Sequence, residues 1–354
     1  MQLQDDRPRR SARAAGIWSC AAVLLLAACS STTPDGTDAV GDGSATVASG
    51  PWSFVDDRPV RNELDAVPQR IVAYESAAAA LMGFGLDSSR IVGIFGSQPL
   101  EENAFLEGFD TSAIEDVGSV YGEVEFEAIV GLQPDVIVTT AFIDERTGAD
   151  AEATQLGGVQ GPEARNQLMS IAPVVAIDEQ LPGSQFIERF GELAETLGVD
   201  HDSPEVAASR NRFEQAVEAF RAACAETEGV RALGVAGQPD TLYVVQPRDW
   251  PDLPELEQWG MALVHPDSDA QYFETLSWEE YDRYPADIIL YDARGWAPDP
   301  EEYTEFTPSW ATLPAVKAGQ TFEWKNYEAV TTYDKYAEMI EGLTQVISTS
   351  KDIV

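Results

Sequence analysis

Residues 121–142 read YGEVEFEAIVGLQPDVIVTTAF and place a turn, a short helix and a buried strand in direct succession. Gly122 marks the turn. Four apolar residues are predicted to share one face of the helix: Phe126, Ile129, Val130 and Leu132. Pro134 is predicted to stop the helix, because proline clashes with the preceding turn and has no N–H to donate. The run 136–138 is apolar and β-branched, which is typical of a strand covered on both faces in a parallel sheet.

A second stretch, residues 276–291, repeats this order. LSWEEY is predicted to open a short helix, Pro285 breaks it, and DIILY is again a buried strand. Both copies carry a glutamate near the start of the helix and a proline before the strand. The two copies lie too far apart for a solenoid repeat, so they indicate two similar lobes.

The first 28 residues are predicted to be a cleaved leader. Arginines come first, an apolar run too short to span a bilayer follows at 21–26, and small residues precede Cys29. The tetrapeptide Leu26-Ala27-Ala28-Cys29 resembles the lipobox of bacterial lipoproteins, which implies cleavage before Cys29 and attachment of a diacylglycerol to its sulfur. The alternative is an ordinary secretory signal with a chance cysteine.

Residues 29–51 are predicted to be a flexible tether, because they are rich in Ser, Thr, Gly and Asp and have too little apolar surface to order themselves. The chain has 354 residues and a formal net charge of −39. Removing the leader makes it more negative, because the leader has more arginines than carboxylates. A surface this acidic repels nucleic acid, so we expect no nucleic-acid partner.

Cys224 is the one cysteine left after a lipid takes Cys29 and the leader removes Cys20, so no intramolecular disulfide is possible. It is in register with the apolar stripe of a helix predicted to start at Ser203-Pro204. That stripe contains Phe213, Val217 and Phe220. We interpret Cys224 as a core residue, the alternative being a reactive thiol.

Strands and helices alternate along residues 52–183, which predicts a first lobe with a parallel sheet covered by helices. A hairpin is expected over residues 52–65 and a turn over 166–171. The expected strands begin near residues 70, 91, 114, 136 and 174, and those of the second lobe, 201–354, near 232, 242, 262, 287 and 321. Helices are expected at 310–316 and 336–347. Between the lobes, residues 184–197 are predicted to form one amphipathic helix. Together with residues 198–200, this helix makes up the predicted bridging segment, 184–200.

Several motifs together resemble the periplasmic-type solute-binding proteins for ferric siderophores, haem and cobalamin. In order they are the lipobox, PQRIVAY at 68, FEAIVGLQPDVIV at 126, LSWEEYDRYPADIIL at 276 and SWATLPAVKAGQTFEW at 309. The resemblance spans residues 54–348. It implies two α/β lobes, each with a central, mostly parallel sheet, bridged by one long helix (the class III fold). The helix at 184–197 matches that bridge, which would allow only a small hinge motion.

The resemblance also implies that the protein delivers its ligand to a membrane ABC permease, which works with an ATPase. It further implies a monomer that the lipid on Cys29 holds on the outer face of the cell membrane. In the family, one glutamate on each lobe docks against permease arginines, and the matching positions are Glu127 and Glu279. The alternative is that each is a solvated carboxylate favoured by the start of a helix.

Ligand contacts are expected where parallel strands end, because α/β sheets bind ligands beyond the carboxyl ends of their strands. The candidates are Tyr74, Gln98, Tyr121, Phe142, Arg248, Trp250, Arg294, Trp296, Lys325 and Tyr327. Aromatic walls suit the organic shell of a ferric siderophore, often an anionic chelate, and arginines suit its oxygen atoms. Alternatively, Arg248 and Arg294 pair locally with Asp249 and Asp292.

Direct metal binding, resident cofactors and catalysis are not expected. The only histidines are His201 and His265, whereas zinc or manganese sites need several converging imidazoles or thiolates. Haem stays open, because Tyr74 or Tyr121 could be its ligand, and cobalamin stays open as well. The sequence contains no nucleophile elbow and no phosphate-binding glycine loop, so an enzyme is a low-ranked alternative. A surface sensor or adhesin built on the same fold is a further alternative.

Overall fold

A computed structural model describes residues 50–143, 154–294 and 297–354, and these contain two six-stranded sheets. The predicted leader, Cys29, nearly all of the tether and Trp296 lie outside the described residues. Within the described ranges no helix is both long and apolar enough to cross a membrane.

The described chain opens with an antiparallel hairpin of β1 (Trp52–Val55) and β2 (Arg61–Leu64), which confirms the hairpin expected there. Asp56 and Asp57 in its turn bind the last strand of the first lobe: the Ala176 N–H donates to Asp56 and the Asp178 N–H to Asp57. The hairpin therefore fastens the start of the fold to the far edge of the first sheet.

After the hairpin, the elements of the first lobe are β3 (Ile71–Tyr74), α1 (Glu75–Gly83), β4 (Ile91–Phe95), β5 (Glu115–Asp116), α2 (Phe126–Leu132), β6 (Val136–Phe142), β7 (Gln155–Leu156), α3 (Gly161–Ile171) and β8 (Val174–Asp178). Its sheet is parallel in the order β5-β4-β3-β6-β8, and the short strand β7 pairs antiparallel with β6. The parallel pairing confirms the prediction from the alternating order.

The helix and strand of residues 126–142 form as predicted, but the apolar face of α2 is narrower than expected. Ile129 is its buried residue, whereas Val130 is 56% exposed. One residue of helix turns the side chain by about 100°, which carries Val130 from the sheet to the surface. The helix ends at Leu132, and Gln133 adopts a left-handed conformation before Pro134.

The turn expected at 166–171 is wrong, because these residues are the second half of α3. This helix starts at Gly161-Pro162. Proline is tolerated in the first turn, because the N–H groups there have no acceptor within the helix. Leu168 is the one fully buried residue of α3, so the sequence lacks a repeated apolar stripe there. A helix lying mostly on the surface gives little periodic signal.

Two helices follow the first sheet: α4 (Gly183–Thr196) and α5 (Pro204–Glu226). The second lobe has strands β9 (Arg231–Gln238), β10 (Thr241–Val245), β11 (Ala262–Leu263), β12 (Phe273–Leu276), β13 (Ile288–Asp292) and β14 (Thr321–Trp324). Its helices are α6 (Leu253–Gln258), α7 (Tyr303–Phe306), α8 (Pro314–Ala318), α9 (Asn326–Ala329) and α10 (Tyr333–Thr349).

The second sheet is mixed. Strands β11, β9, β13 and β14 are parallel, whereas β10 pairs antiparallel with β9, and β12 pairs antiparallel with β10. The helix expected to open at Leu276 is a 3₁₀ turn, Trp278–Glu280, that follows β12 directly. The helix expected at 310–316 is a 3₁₀ turn, Pro308–Thr312, followed by the short α8.

Helix α4 packs against both lobes. It contacts α1, β1 and β8 in the first lobe and α10 in the second. At its start, the Gly183 N–H donates to the Pro251 carbonyl at 3.1 Å, and the Ser184 hydroxyl donates to Glu255 at 2.5 Å. The Tyr336 hydroxyl donates to the same carboxylate at 2.9 Å. These bonds tie the first turn of α4 to the second lobe.

Cys224 packs against the core from α5 and lines a cavity of about 280 Å³ together with Val230, Met261 and Ile347. Burial raises the pKa of its thiol to about 11, so the thiol stays protonated at neutral pH. This agrees with the interpretation of Cys224 as a packing residue.

Candidate functional site

The carboxyl ends of the two sheets meet across a cleft. Contacts between described residues cross it: the Phe142 and Tyr272 rings lie 6.1 Å apart, Tyr272 Oη donates to Gln180 Oε1 at 3.2 Å, and Gln180 Nε2 donates to Tyr327 Oη at 3.4 Å. We call the site "the cleft" and define it by Tyr74, Tyr121, Phe142, Glu179, Gln180, Trp250, Tyr272, Arg294 and Tyr327. Gln180 follows the last parallel strand of the first lobe and bonds to both aromatic hydroxyls of the second.

The second-lobe wall is a packed group of aromatic rings around Trp250. The Trp250 ring lies 5.1 Å from Trp324, 5.7 Å from Tyr272 and 6.0 Å from Tyr327. Trp250 is only 4% exposed, so it supports the wall from behind. Trp324 is buried too, and its indole N–H donates to Asp252 at 2.6 Å. Tyr272 and Tyr327 therefore form the accessible part of this wall.

Arg294, directly after β13, lies flat against that wall. Its guanidinium carbon is 4.6 Å from the Trp250 ring centre and 5.6 Å from that of Tyr327. Its Nε and Nη2 donate to the two carboxylate oxygens of Asp292 at 2.8 and 2.5 Å. The bidentate pair and the rings fix the guanidinium, and the buried Asp292 compensates its charge. The local pairing considered from the sequence is therefore present.

Arg248 has a different environment. It is exposed, lies 3.7 Å from Asp249, and donates to the Ala270 carbonyl at 3.0 Å and to Gln246 at 3.1 Å. These bonds hold the segment before Tyr272, whose own backbone is left-handed at φ 58°. Arg248 thus supports the loop that carries a cleft residue.

The first-lobe wall is built on Tyr74 at the end of β3. Its ring packs 5.6 Å from Phe95 and is nearly buried. Gly157 and Gly158 lie against it, and a Cβ at Gly158 would come within 2.7 Å of the ring. Tyr121 is exposed and accepts a hydrogen bond from Gln155 at 3.3 Å. Glycine is needed at 158 for this close packing and for its positive φ of 71°.

The remaining predicted contacts are spread around these walls. Gln98 is half-buried after β4, and Lys325 is exposed at the start of α9. In the described part of the chain, neither Gln98 nor Lys325 forms a hydrogen bond or an ion pair with a residue that defines the cleft. Trp296 lies outside the described residues.

The sequence reasoning missed Glu179. It is half-buried directly after β8, and the Thr140 hydroxyl donates to its Oε2 at 2.6 Å. Burial raises the pKa of the Glu179 carboxyl, and the Thr140 hydrogen bond partly opposes this. The strand-end rule that selected the other residues would have found it, had it been applied to the strand ending at Asp178.

Two more carboxylates stand near the cleft. Glu75, which follows Tyr74, is buried and accepts hydrogen bonds from the Ser97 amide and hydroxyl at 2.9 Å and from Asn103 at 2.5 Å. Glu328 on α9 is half-buried, and burial raises its pKa while Lys325 and Lys335 lower it. The site is consequently richer in carboxylates than the sequence analysis assumed.

Glu127 and Glu279 are both exposed, one in the first turn of α2 and the other in the turn Trp278–Glu280. Among residues 50–143, 154–294 and 297–354, neither carboxylate has an ion pair or a side-chain hydrogen bond. The exposed Val130 lies one helical turn after Glu127 on α2. An exposed apolar side chain beside an unpaired carboxylate is compatible with a docking surface.

No group of three or more His, Cys, Asp or Glu side chains in the described ranges is arranged to hold a metal ion. Burial raises the pKa of Tyr74, Tyr121 and Tyr327 above the usual value, so their hydroxyls are protonated at neutral pH. The cleft thus presents aromatic rings and neutral hydroxyl groups to a ligand.

Comparisons with known proteins agree with this architecture. Residues 110–328 match the family described as periplasmic binding protein. DesE, a ferric-siderophore receptor protein from Streptomyces coelicolor, is 32% identical, with 86% of this chain and 100% of that chain covered and a TM-score of 0.76. A comparison with curated protein sequences found no match.

Two further solved structures are similar. The siderophore periplasmic binding protein from the fuscachelin gene cluster of Thermobifida fusca is 26% identical, with 79% and 96% of the two chains covered and a TM-score of 0.57. The petrobactin-binding protein YclQ from Bacillus subtilis is 16% identical, with 84% and 99% covered and a TM-score of 0.62, and so supports the fold alone.

Proposed function

We propose, from the premise that this chain belongs to the periplasmic binding protein family, that it captures a ferric siderophore in the cleft and delivers it to an ABC permease. The family match and the two siderophore-binding relatives above 25% identity support the ligand class. Delivery, docking through Glu127 and Glu279, and anchoring through Cys29 on the outer face of the cell membrane are parts of the proposal.

The cleft between the aromatic walls is the observation that carries this proposal. Its side chains come from both lobes, and Gln180 bonds to Tyr272 and Tyr327 across the gap. A bulky chelate can exchange these two weak polar contacts for its own contacts with both walls. Arg294, held flat by Asp292 and Trp250, supplies a rigid polar surface for the oxygen atoms of the ligand.

Capture is proposed to need only a small closing motion. Helix α4 packs against both lobes, and its first turn is bonded to Pro251 and Glu255 in the second. A continuous helix between lobes resists the large bending that strand hinges permit. We therefore propose the division 52–183, 184–200 and 201–354 as lobe, bridge and lobe.

Haem and cobalamin are the competing ligands in the same family. Tyr74 and Tyr121 are the candidate haem ligands, and Tyr121 is the more accessible of the two, because Tyr74 is only 9% exposed. Cobalamin brings its own axial ligands and is tested directly. A sensor or adhesin on this fold would bind a ligand without delivering it.

Titration of intrinsic tryptophan fluorescence with ferric chelates, haem and cobalamin tests the ligand class. Trp250 and Trp324 lie behind the second-lobe wall, so a coloured chelate in the cleft is expected to quench their emission saturably. We expect ferric siderophores to bind and haem and cobalamin to bind far more weakly. Saturable binding of haem or cobalamin alone would contradict the siderophore proposal.

Tyr327→Ala is expected to weaken chelate binding by roughly 5- to 30-fold, the equivalent of about 1–2 kcal/mol. The substitution removes an accessible ring of the wall, one support of Arg294 and one bond of Gln180. Tyr281→Ala is the matched control, because Tyr281 packs in the same lobe against a separate buried cluster that includes Trp278 and Trp310. Equal loss of affinity in both variants would place the chelate elsewhere.

A further inference from the structure

We propose that Lys335 on α10 is a positioning residue for the cleft: its ammonium, bound to two carbonyl groups of the first lobe, holds the two walls at the spacing that a ligand needs. The residue lies outside the cleft and acts on it through the first lobe. The inference rests on the proposed function and adds a residue to which the sequence motifs assign no role.

Lys335 is the point at which the second-lobe helix α10 is bonded to the first lobe. Its Nζ donates to the carbonyl group of Ala104 at 2.6 Å and to that of Phe105 at 2.9 Å, 231 and 230 residues earlier in the chain. Both carbonyl groups belong to a 3₁₀ turn, Ala104–Leu106, that packs against α1. The relative position of the lobes is therefore fixed by this contact as well as by α4.

The ammonium of Lys335 is committed to this contact. The side chain is half-buried, and burial lowers the pKa of its ammonium, while Glu328, Glu107 and Glu338 act to raise it. Among residues 50–143, 154–294 and 297–354, Lys335 forms no ion pair, and its acceptors are the two carbonyl oxygens. A partly desolvated charge is costly without hydrogen-bond partners, so the ammonium stabilises the arrangement that supplies them.

The 3₁₀ turn is itself bonded to the first-lobe wall. Asn103 caps the turn: its Oδ1 accepts from the Phe105 amide at 3.0 Å, and its Nδ2 donates to Glu75 Oε2 at 2.5 Å. Glu75 directly follows Tyr74 and also accepts from the amide and hydroxyl of Ser97. A displacement of the turn is therefore transmitted to Tyr74 and to the segment after β4.

The first turn of α10 packs against the first lobe beside the ammonium. The Phe84 and Tyr333 rings lie 5.9 Å apart, and a Cβ at Gly83 would come within 2.5 Å of Thr332 Cγ2. Thr332 caps α10, and its hydroxyl accepts from the Lys335 amide at 3.2 Å. Because α10 cannot tilt relative to α1 without losing these contacts, it is a second support between the lobes.

The spacing of the walls determines the affinity for a ligand that contacts both of them. Such a ligand binds in proportion to the fraction of molecules in which the walls have the required spacing. If the loss of the Lys335 contact lowers that fraction from nearly all to about one fifth, the dissociation constant rises about fivefold. This loss of affinity arises without any change in the residues that define the cleft.

Pulsed electron–electron double resonance measures the spacing of the lobes in the absence of a ligand. The spin labels are attached to azide-bearing residues that replace Ser112 in the first lobe and Ala311 in the second, both exposed, so the cysteines stay unlabelled. We expect one narrow distance distribution in the unaltered protein and a clearly broader one in Lys335→Met. Lys335→Arg retains the charge and the donors and should restore the narrow distribution.

Arg212→Met is the matched control, because it removes one positive charge that also binds α10. Arg212 pairs with Asp334 and Glu341, and both contacts stay within the second lobe. This variant should keep the narrow distance distribution of the unaltered protein.

Tryptophan quenching by a ferric trihydroxamate and by a ferric tricatecholate measures the affinity of the same proteins. We expect Lys335→Met to bind each probe that the unaltered protein binds about 3- to 10-fold more weakly, and Arg212→Met to stay within about twofold. Unchanged affinity despite a broader distance distribution would contradict the positioning role.

An unchanged distance distribution in Lys335→Met, or equal broadening in Arg212→Met, would overturn the inference and leave the siderophore proposal intact. Failure of both probes to bind the unaltered protein would overturn the proposed function, whereas the spin-label distances would still decide whether Lys335 fixes the lobes. If Lys335→Met does not fold, Gly83→Ala tests the same support, because its methyl group would displace Thr332 from the first lobe. An unchanged distance distribution in that variant would overturn the inference as well.

Discussion

Replacing Glu127 and Glu279 together with alanine is expected to abolish iron uptake while leaving chelate affinity within about twofold. Each carboxylate is exposed, and neither is engaged by a side chain in the ranges that the structure describes. A charge-assisted hydrogen bond to an arginine contributes roughly 1.5–3 kcal/mol, so losing one on each lobe would weaken docking by orders of magnitude. Uptake of radiolabelled iron by proteoliposomes containing the permease and its ATPase measures the loss.

Glu205→Ala combined with Glu218→Ala is the matched control, because both residues are exposed on α5 and the net charge changes equally. This variant should support normal uptake. Val130, exposed one turn after Glu127, offers a second probe. Val130→Asp should impair delivery without changing chelate affinity. Normal uptake by the Glu127/Glu279 variant would show that these are only solvated carboxylates at the starts of turns.

Local patterns in the sequence predicted the first lobe well. In residues 126–142, helix, break and strand are each determined by neighbours within a few positions, and the structure has α2 and β6 there. The bridging helix α4 was equally clear, because its apolar residues repeat at helical spacing and Phe186 and Phe190 are buried. Fold class followed from these elements, because alternating strands and helices leave few ways to cover a sheet.

Elements with weak patterns were predicted poorly. Helix α3 buries only Leu168 fully, so its sequence lacks the stripe that identifies a helix. Strand β12 was missed, because it is an edge strand, antiparallel to β10, and has only four residues in which to show an alternating pattern. In both cases tertiary packing decides the structure, and a window of neighbouring residues does not contain that information.

The composition of the cleft depends on contacts between distant residues. Gln180 bonds to Tyr272 and Tyr327, which lie 92 and 147 residues further along the chain, and no local pattern connects them. Arg294 and Asp292, in contrast, are only two residues apart, so their pairing could be considered from the sequence alone. Deciding between pairing and ligand contact required the side-chain geometry.

Asp56→Ala is expected to lower the free energy of unfolding by about 3–5 kcal/mol, because it leaves the buried charge of Arg58 without a counter-charge. The two side chains are 0% and 1% exposed and lie 2.5 Å apart. Asp56 also accepts hydrogen bonds from the backbone amides of Arg58, Val60 and Ala176, each at 3.1 Å. For a domain of this size the melting temperature should fall by about 6–10 °C.

Two variants in the same hairpin make the test specific. Arg58→Met should destabilise less than Asp56→Ala, because Asp56 keeps its three amide donors. Glu63→Ala should change stability by no more than about 0.5 kcal/mol, because its pair with Arg61 is 65% and 60% exposed. Urea denaturation measures the free energy of unfolding of all three variants. Similar losses of stability in Asp56→Ala and Glu63→Ala would contradict the buried-charge explanation. Since Asp56 holds β8, and β8 positions Glu179 and Gln180, the most destabilised variant should also bind chelate less tightly.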